Sequence, residues 1–81
     1  MKAHFISSMF YGKFRYKIYV FGADIIFVNY ERKHKVLFWD TFKPLPHEDR
    51  IKRKAGMCTE EFIGVARHKA EKHIKGLTGN L

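Results

Sequence analysis

Apolar and polar residues alternate with a period of two through much of the first forty positions. That is the signature of strands with one buried face. The clearest stretch is 13–21, where Phe14, Tyr16, Ile18 and Val20 alternate with Lys13, Arg15, Lys17 and Tyr19. One face is apolar and the other is cationic with an aromatic tip, as a half-buried antiparallel strand requires. Further strands are predicted at 3–9, 25–31 and 35–40.

Gly22-Ala23-Asp24 reads as a hairpin loop, and its length decides the register. A two-residue loop, Gly22-Ala23, would pair Tyr16 with Asn29 on the core face and set Ile26 and Val28 beside Tyr19 and Lys17 on the wet face. A three-residue loop pairs Val20 with Ile26, Ile18 with Val28 and Tyr16 with Tyr30 inside. Outside, it pairs Arg15 with Glu31, Lys17 with Asn29 and Tyr19 with Phe27. The second register matches both faces and adds an opposite-charge cross-strand pair, so it is the one predicted. Glu31 to Lys35 is polar and reads as the turn into the next strand, Val36–Asp40, which is apolar on both sides. Such a strand is central in its sheet or covers a contact surface.

The pattern changes after residue 41. Thr41–Met57 holds both prolines and a basic run. Within it, 46–55 suits a short surface helix or a loop, with Pro46 and acids at the start, Lys52 to Lys54 at the end and Gly56 as a stop. From Thr59 the spacing is helical. Thr59 is an acceptable N-cap, Glu60 and Glu61 lie in the first turn, and Gly76 follows Lys75. Phe62, Ile63, Ala66, Ala70, Ile74 and Leu77 fall in one arc of about 120°, with His68, Lys69, Lys72 and Lys75 opposite. The predicted fold is α+β: an antiparallel sheet of three or four strands with one C-terminal helix packed across one face.

Length allows one domain, 1–81. The 46% apolar and 16% aromatic content argues against a disordered chain. The longest mainly apolar run, Ile18 to Val28, contains Asp24 and is too short to span a bilayer. Met1-Lys2-Ala3-His4-Phe5 carries no sustained apolar run, so a secretory signal is not expected. A cytoplasmic protein without a membrane partner is the expectation. Cys58 stands alone, so neither a disulfide framework nor a cysteine-rich zinc site is expected.

Charge sharpens the partner class. The chain carries 16 Lys and Arg against 8 Asp and Glu, a net +8. Residues 1–40 hold 7 basic and 3 acidic groups and residues 41–81 hold 9 and 5, so each half is +4. The cations therefore sit on predicted elements rather than in a tail. Such a surface attracts anionic partners, although it also serves solubility alone. The candidate nucleic-acid-binding residues are Lys13, Arg15, Lys17 and Tyr19 on the strand, then Lys33, Lys35 and Trp39. To these are added Arg50, Lys52, Arg53 and Lys54, with Lys69, Lys72 and Lys75 on the helix. Cations bind phosphates, while exposed rings such as Tyr19 and Phe27 stack on unpaired bases. The same rings suit a protein interface, including a homodimer through the aromatic sheet face.

No catalytic or metal constellation stands out. His68 and His73 are five apart, about 140° around a helix, which is wrong for shared ligation. His73 lies in the apolar arc and reads as a buried, hydrogen-bonded core histidine. The remaining histidines, His4, His34 and His47, show no spacing that pairs an acid with a base. No cofactor is expected, and the six glycines form no phosphate-cradling motif.

In outline, the predicted architecture resembles integrase arm-binding DNA modules and the double-stranded RNA-binding domain, without a shared motif. The leading expectation is a small, non-enzymatic nucleic-acid-binding accessory protein. RNA or a single strand is favoured, because rings help with unstacked bases and no recognition-helix motif is evident. Its composition suits a phage or mobile element. The alternative is an inhibitor or regulator that binds an acidic protein partner or a nucleic-acid-associated factor. The third is a small toxin-type ribonuclease.

Overall fold

The computed structural model describes residues 3–78. Four strands, β1 (Ala3–Tyr11), β2 (Phe14–Phe21), β3 (Ile25–Val36) and β4 (Trp39–Lys52), form an antiparallel meander in the order β1-β2-β3-β4. One helix, α1 (Thr59–Thr78), packs across one face. The architecture is the α+β arrangement that the patterning predicts. No described helix is long and apolar enough to cross a membrane.

The β2–β3 hairpin has the predicted three-residue loop and register. Val20 faces Ile26, Ile18 faces Val28 and Tyr16 faces Tyr30, while Arg15, Lys17 and Tyr19 lie opposite Glu31, Asn29 and Phe27. Complementary patterning on both faces leaves no competing register. The inner face meets α1 through Phe62, Ala66, Ala70 and Ile74, all buried, whereas Ile63 and Leu77 are partly buried. Two alanines at the centre of that helical face let α1 approach the sheet closely. Phe62 and Ile74 supply the bulk at either end.

Two predicted elements differ. The stretch 46–55 is neither short helix nor loop: residues through Lys52 continue β4, with Ile51, Arg50, Asp49 and Glu48 opposite Ile26, Phe27, Val28 and Asn29. The free edge of β3 carries backbone donors and acceptors that need partners, and β4 satisfies them. Pro44 and Pro46 are tolerated because β4 is an edge strand, and the pairing is irregular where they occur, between Asn29 and Glu31.

The second difference is the turn. Glu31 to Lys35 does not turn; β3 runs on to Val36, and Leu37-Phe38 form a two-residue loop. The predicted strand 35–40 is thus split by the hairpin tip. Pairing between β2 and β3 ends at Phe14 and Arg32, apart from the Lys33 amide donating to the Lys13 carbonyl. Beyond that point β3 and β4 form a free two-stranded ribbon, wet on both faces. Polar residues on both faces, which mimic a turn in the sequence, suit that ribbon. It contributes to an elongated shape of 47 × 29 × 19 Å.

Candidate nucleic-acid interface

Strand alternation sends the odd-numbered residues of β2 and β3 to the face opposite α1. Arg15, Lys17 and Tyr19 share that open face with Phe27, Asn29 and Glu31. The cross-strand order adds Phe5 and Phe10 from β1, and Phe42, Arg50 and Lys52 from β4. Phe5 packs edge-on against Tyr19, Phe21 against Phe27, and the Arg50 guanidinium lies 5.6 Å from the Phe27 ring centre. Rings and cations therefore interleave across one surface.

Arg15 is the organised centre of one end. Its Nε donates to Glu31 Oε1 at 2.7 Å, and its guanidinium sits 4.0 Å above the Phe42 ring and 5.7 Å from Phe10. Phe10 and Phe42 come from the two edge strands, yet their centroids are 5.6 Å apart. Four flat strands would span about 14 Å, so the sheet curls over its open face here. Lys17 Nζ also reaches Glu31 Oε1, at 3.6 Å. Two cations share one carboxylate, which fixes their position and leaves one positive charge uncompensated.

The remaining predicted residues divide among three places. Lys13 lies in the β1–β2 turn, and Lys33, Lys35 and Trp39 lie on the ribbon. Lys33 is 3.4 Å from Asp40. Arg32, His34 and Lys43 border a shallow hollow at the ribbon base with Pro44 and Leu45. Lys54 is exposed in the loop before α1. Arg53 pins that loop to the helix instead of facing outward. Its guanidinium lies 4.9 Å from the Phe62 ring and donates to the Met57 carbonyl and Thr59 Oγ1. Lys69, Lys72 and Lys75 are exposed on α1, across the sheet from the open face. The fold does not bring these lysines into one surface with Arg15 and Lys17.

One cluster escapes a linear reading. Tyr30 Oη donates to Asp49 Oδ2 at 2.5 Å, and His47 Nε2 lies 3.1 Å from Asp49 Oδ1. His73 stacks on His47 at 4.2 Å between centroids and touches Tyr30 at 4.4 Å. His73 is half-buried and packed on rings rather than fully buried, and its side chain makes no hydrogen bond among the described residues. Burial, and then the neighbouring His47, push its pKa below the ordinary imidazole range, against the opposing pull of Asp49. Burial and the Asp49 contact raise the Tyr30 pKa well above the usual phenol value. The signal in the sequence was the period-two series Leu45, His47, Asp49, Ile51, which reads as a strand face once Asp49 is given a partner. Among the described residues, no group of three or more His, Cys, Asp or Glu side chains is placed to hold a metal ion.

Comparison with protein-family models, curated proteins and solved structures finds no match.

Proposed function

We propose that this protein binds unpaired nucleic acid across the open face of its sheet and catalyses no reaction on it. One observation carries the reading: cations and accessible rings share the face that the helix leaves uncovered. Arg15 and Lys17 meet phosphates, while Tyr19, Phe5 and Phe10 offer stacking surfaces. Phe5 and Phe10 are 55% and 61% exposed, more than packing requires of large rings.

The test combines affinity with salt. Tyr19→Ala should weaken binding of a labelled single strand by about 1–3 kcal/mol and leave the log–log salt slope unchanged. Lys17→Ala should make the slope shallower by about 0.7.

A protein contact is the second reading, because β1 is an edge strand with Phe5, Ile6, Met9 and Phe10 all exposed. If Tyr19→Ala spares nucleic-acid affinity but abolishes dimerisation or a complex with an acidic protein, that reading replaces the first. A ribonuclease would use the His47 and His73 pair. Metal-independent cleavage of labelled RNA, lost on His47→Ala, would establish it.

A further inference from the structure

The β3–β4 ribbon ends in three large apolar side chains that are mostly exposed. Leu37 is 73% exposed, Phe38 94% and Trp39 57%. The backbone also departs from its preference there. Leu37 is the one described non-glycine residue with a positive φ, at 54°. The β1–β2 turn has the same two-residue loop, Gly12-Lys13, and places glycine at the equivalent position with φ 57°. One chain thus builds one kind of turn twice, once with the residue that the geometry favours and once with leucine. A left-handed conformation costs an L-residue about 1–2 kcal/mol, and strain of this kind is retained at functional positions.

The setting of the tip selects its partner. Residues 32–43 carry four basic groups, Arg32, Lys33, Lys35 and Lys43, against Asp40 alone. The cations lie on both faces of the ribbon, because Lys33 and Lys35 alternate with Arg32, whose cross-strand neighbour is Lys43. A groove has phosphates on both walls and meets both faces of a ribbon; a flat anionic surface meets its end. The ribbon extends about 15 Å beyond Arg32 at strand rise. The grooves of B-form DNA admit strands of this kind, whereas the major groove of A-form RNA is too deep and narrow for them. Proteins that enter the minor groove insert apolar side chains between base steps there and kink the duplex. Phe42, which stacks on Arg15, joins the ribbon to the open face.

We infer that the Leu37-Phe38-Trp39 tip is a wedge that enters a base step of a DNA duplex next to the single strand held on the sheet. The inference rests on the nucleic-acid reading above and narrows its target to a junction between duplex and single-stranded DNA.

Trp39 is the only tryptophan, so its fluorescence reports the tip directly. The probes are a DNA hairpin with a single-stranded tail, the tail alone, and phosphatidylglycerol vesicles. The hairpin with its tail should bind more tightly than the tail and quench Trp39 on stacking. Phe38→Ala should weaken hairpin binding by about 5- to 150-fold, the loss of one stacking contact, and leave tail binding unchanged. Leu37→Gly should weaken hairpin binding while leaving the thermal unfolding midpoint equal or higher, because glycine relieves the strained φ. If hairpin and tail bind equally and Phe38→Ala changes neither, the wedge is refuted and the sheet reading stands. If no DNA binds, the wedge falls, and a labelled single-stranded RNA decides the sheet reading: binding keeps it, and no binding removes it as well. A blue-shifted Trp39 emission with vesicles, without any response to DNA, overturns the wedge in favour of membrane insertion.

Discussion

Glu31→Gln is the substitution whose outcome depends most directly on the geometry of the open face. Glu31 Oε1 lies 2.6 Å from an Arg15 nitrogen and 3.6 Å from Lys17 Nζ, with the carboxylate only 14% exposed. In the parent protein one carboxylate holds two cations on the proposed nucleic-acid surface and cancels one of them. The amide keeps the shape and an acceptor but removes the charge, so one more positive charge faces the strand. For single strands each neutralised phosphate adds about 0.7 to the magnitude of the log–log salt slope. A slope increase of 0.7 means that a fourfold rise in salt costs the variant about 2.6-fold more affinity than the parent. Binding should therefore be tighter in Glu31→Gln at 50 mM salt, with the advantage shrinking by about that factor at 200 mM. Fluorescence anisotropy of a labelled oligonucleotide across four salt concentrations measures both quantities. The stability cost should be no more than about 1 kcal/mol, the ceiling for a cross-strand charge pair, which a urea titration followed by circular dichroism checks. An unchanged or shallower slope, with the variant still folded, refutes the claim that Arg15 and Lys17 face phosphate.

Three further outcomes test the framework beneath the site. Phe62 is 1% exposed between α1 and the sheet, and Phe62→Ala should cost about 3–5 kcal/mol of a total that is about 4–12 kcal/mol for a chain of this length; an unchanged urea midpoint would refute the assigned helix face. The two core tyrosines should respond differently to loss of their hydroxyls. Tyr30→Phe removes the bond to Asp49 and should destabilise by about 1.5–3 kcal/mol, whereas the buried Tyr16 hydroxyl has only the Arg67 guanidinium nearby and meets no hydrogen-bond geometry among the described residues, so Tyr16→Phe should cost clearly less. Because His73 is held below its ordinary pKa, the unfolded chain takes up a proton first as pH falls through about 6.5, and stability should drop from there down to the folded-state pKa. A decline between pH 7.5 and 5.5 that is as steep in His73→Gln as in the parent would remove His73 as its cause.

The legible parts of this fold are those where two independent constraints agreed. The β2–β3 register was readable because Ile18, Val28, Tyr16 and Tyr30 matched inside while Arg15 and Glu31 matched outside. The helix was readable because its caps and its apolar arc coincided. β4 was not, because its inward-facing side chains include His47 and Asp49, which are polar and satisfied by residues distant in the chain, Tyr30 and His73. Its two prolines and its acid-to-base charge order imitate a helix start. The turn was misplaced because a free ribbon reverses the usual signals, with polar residues in the strands and apolar ones at the tip. For the site, alternation alone assembled Arg15, Lys17 and Tyr19. The internal role of Arg53 depends on how the loop before α1 folds back over Phe62, which no local pattern encodes.

The nearest-neighbour meander has a consequence for how the chain folds. Every strand pairs with the one before it across a short loop, so sheet formation requires few distant encounters and should be fast for a β-rich domain. The helix that covers the sheet comes last. Until α1 docks, Tyr16, Ile18, Ile26 and Val28 face water on the sheet that the helix later covers. A refolding chain is thus most exposed to aggregation after the sheet has formed rather than before, and docking of α1 is the step that ends the exposure.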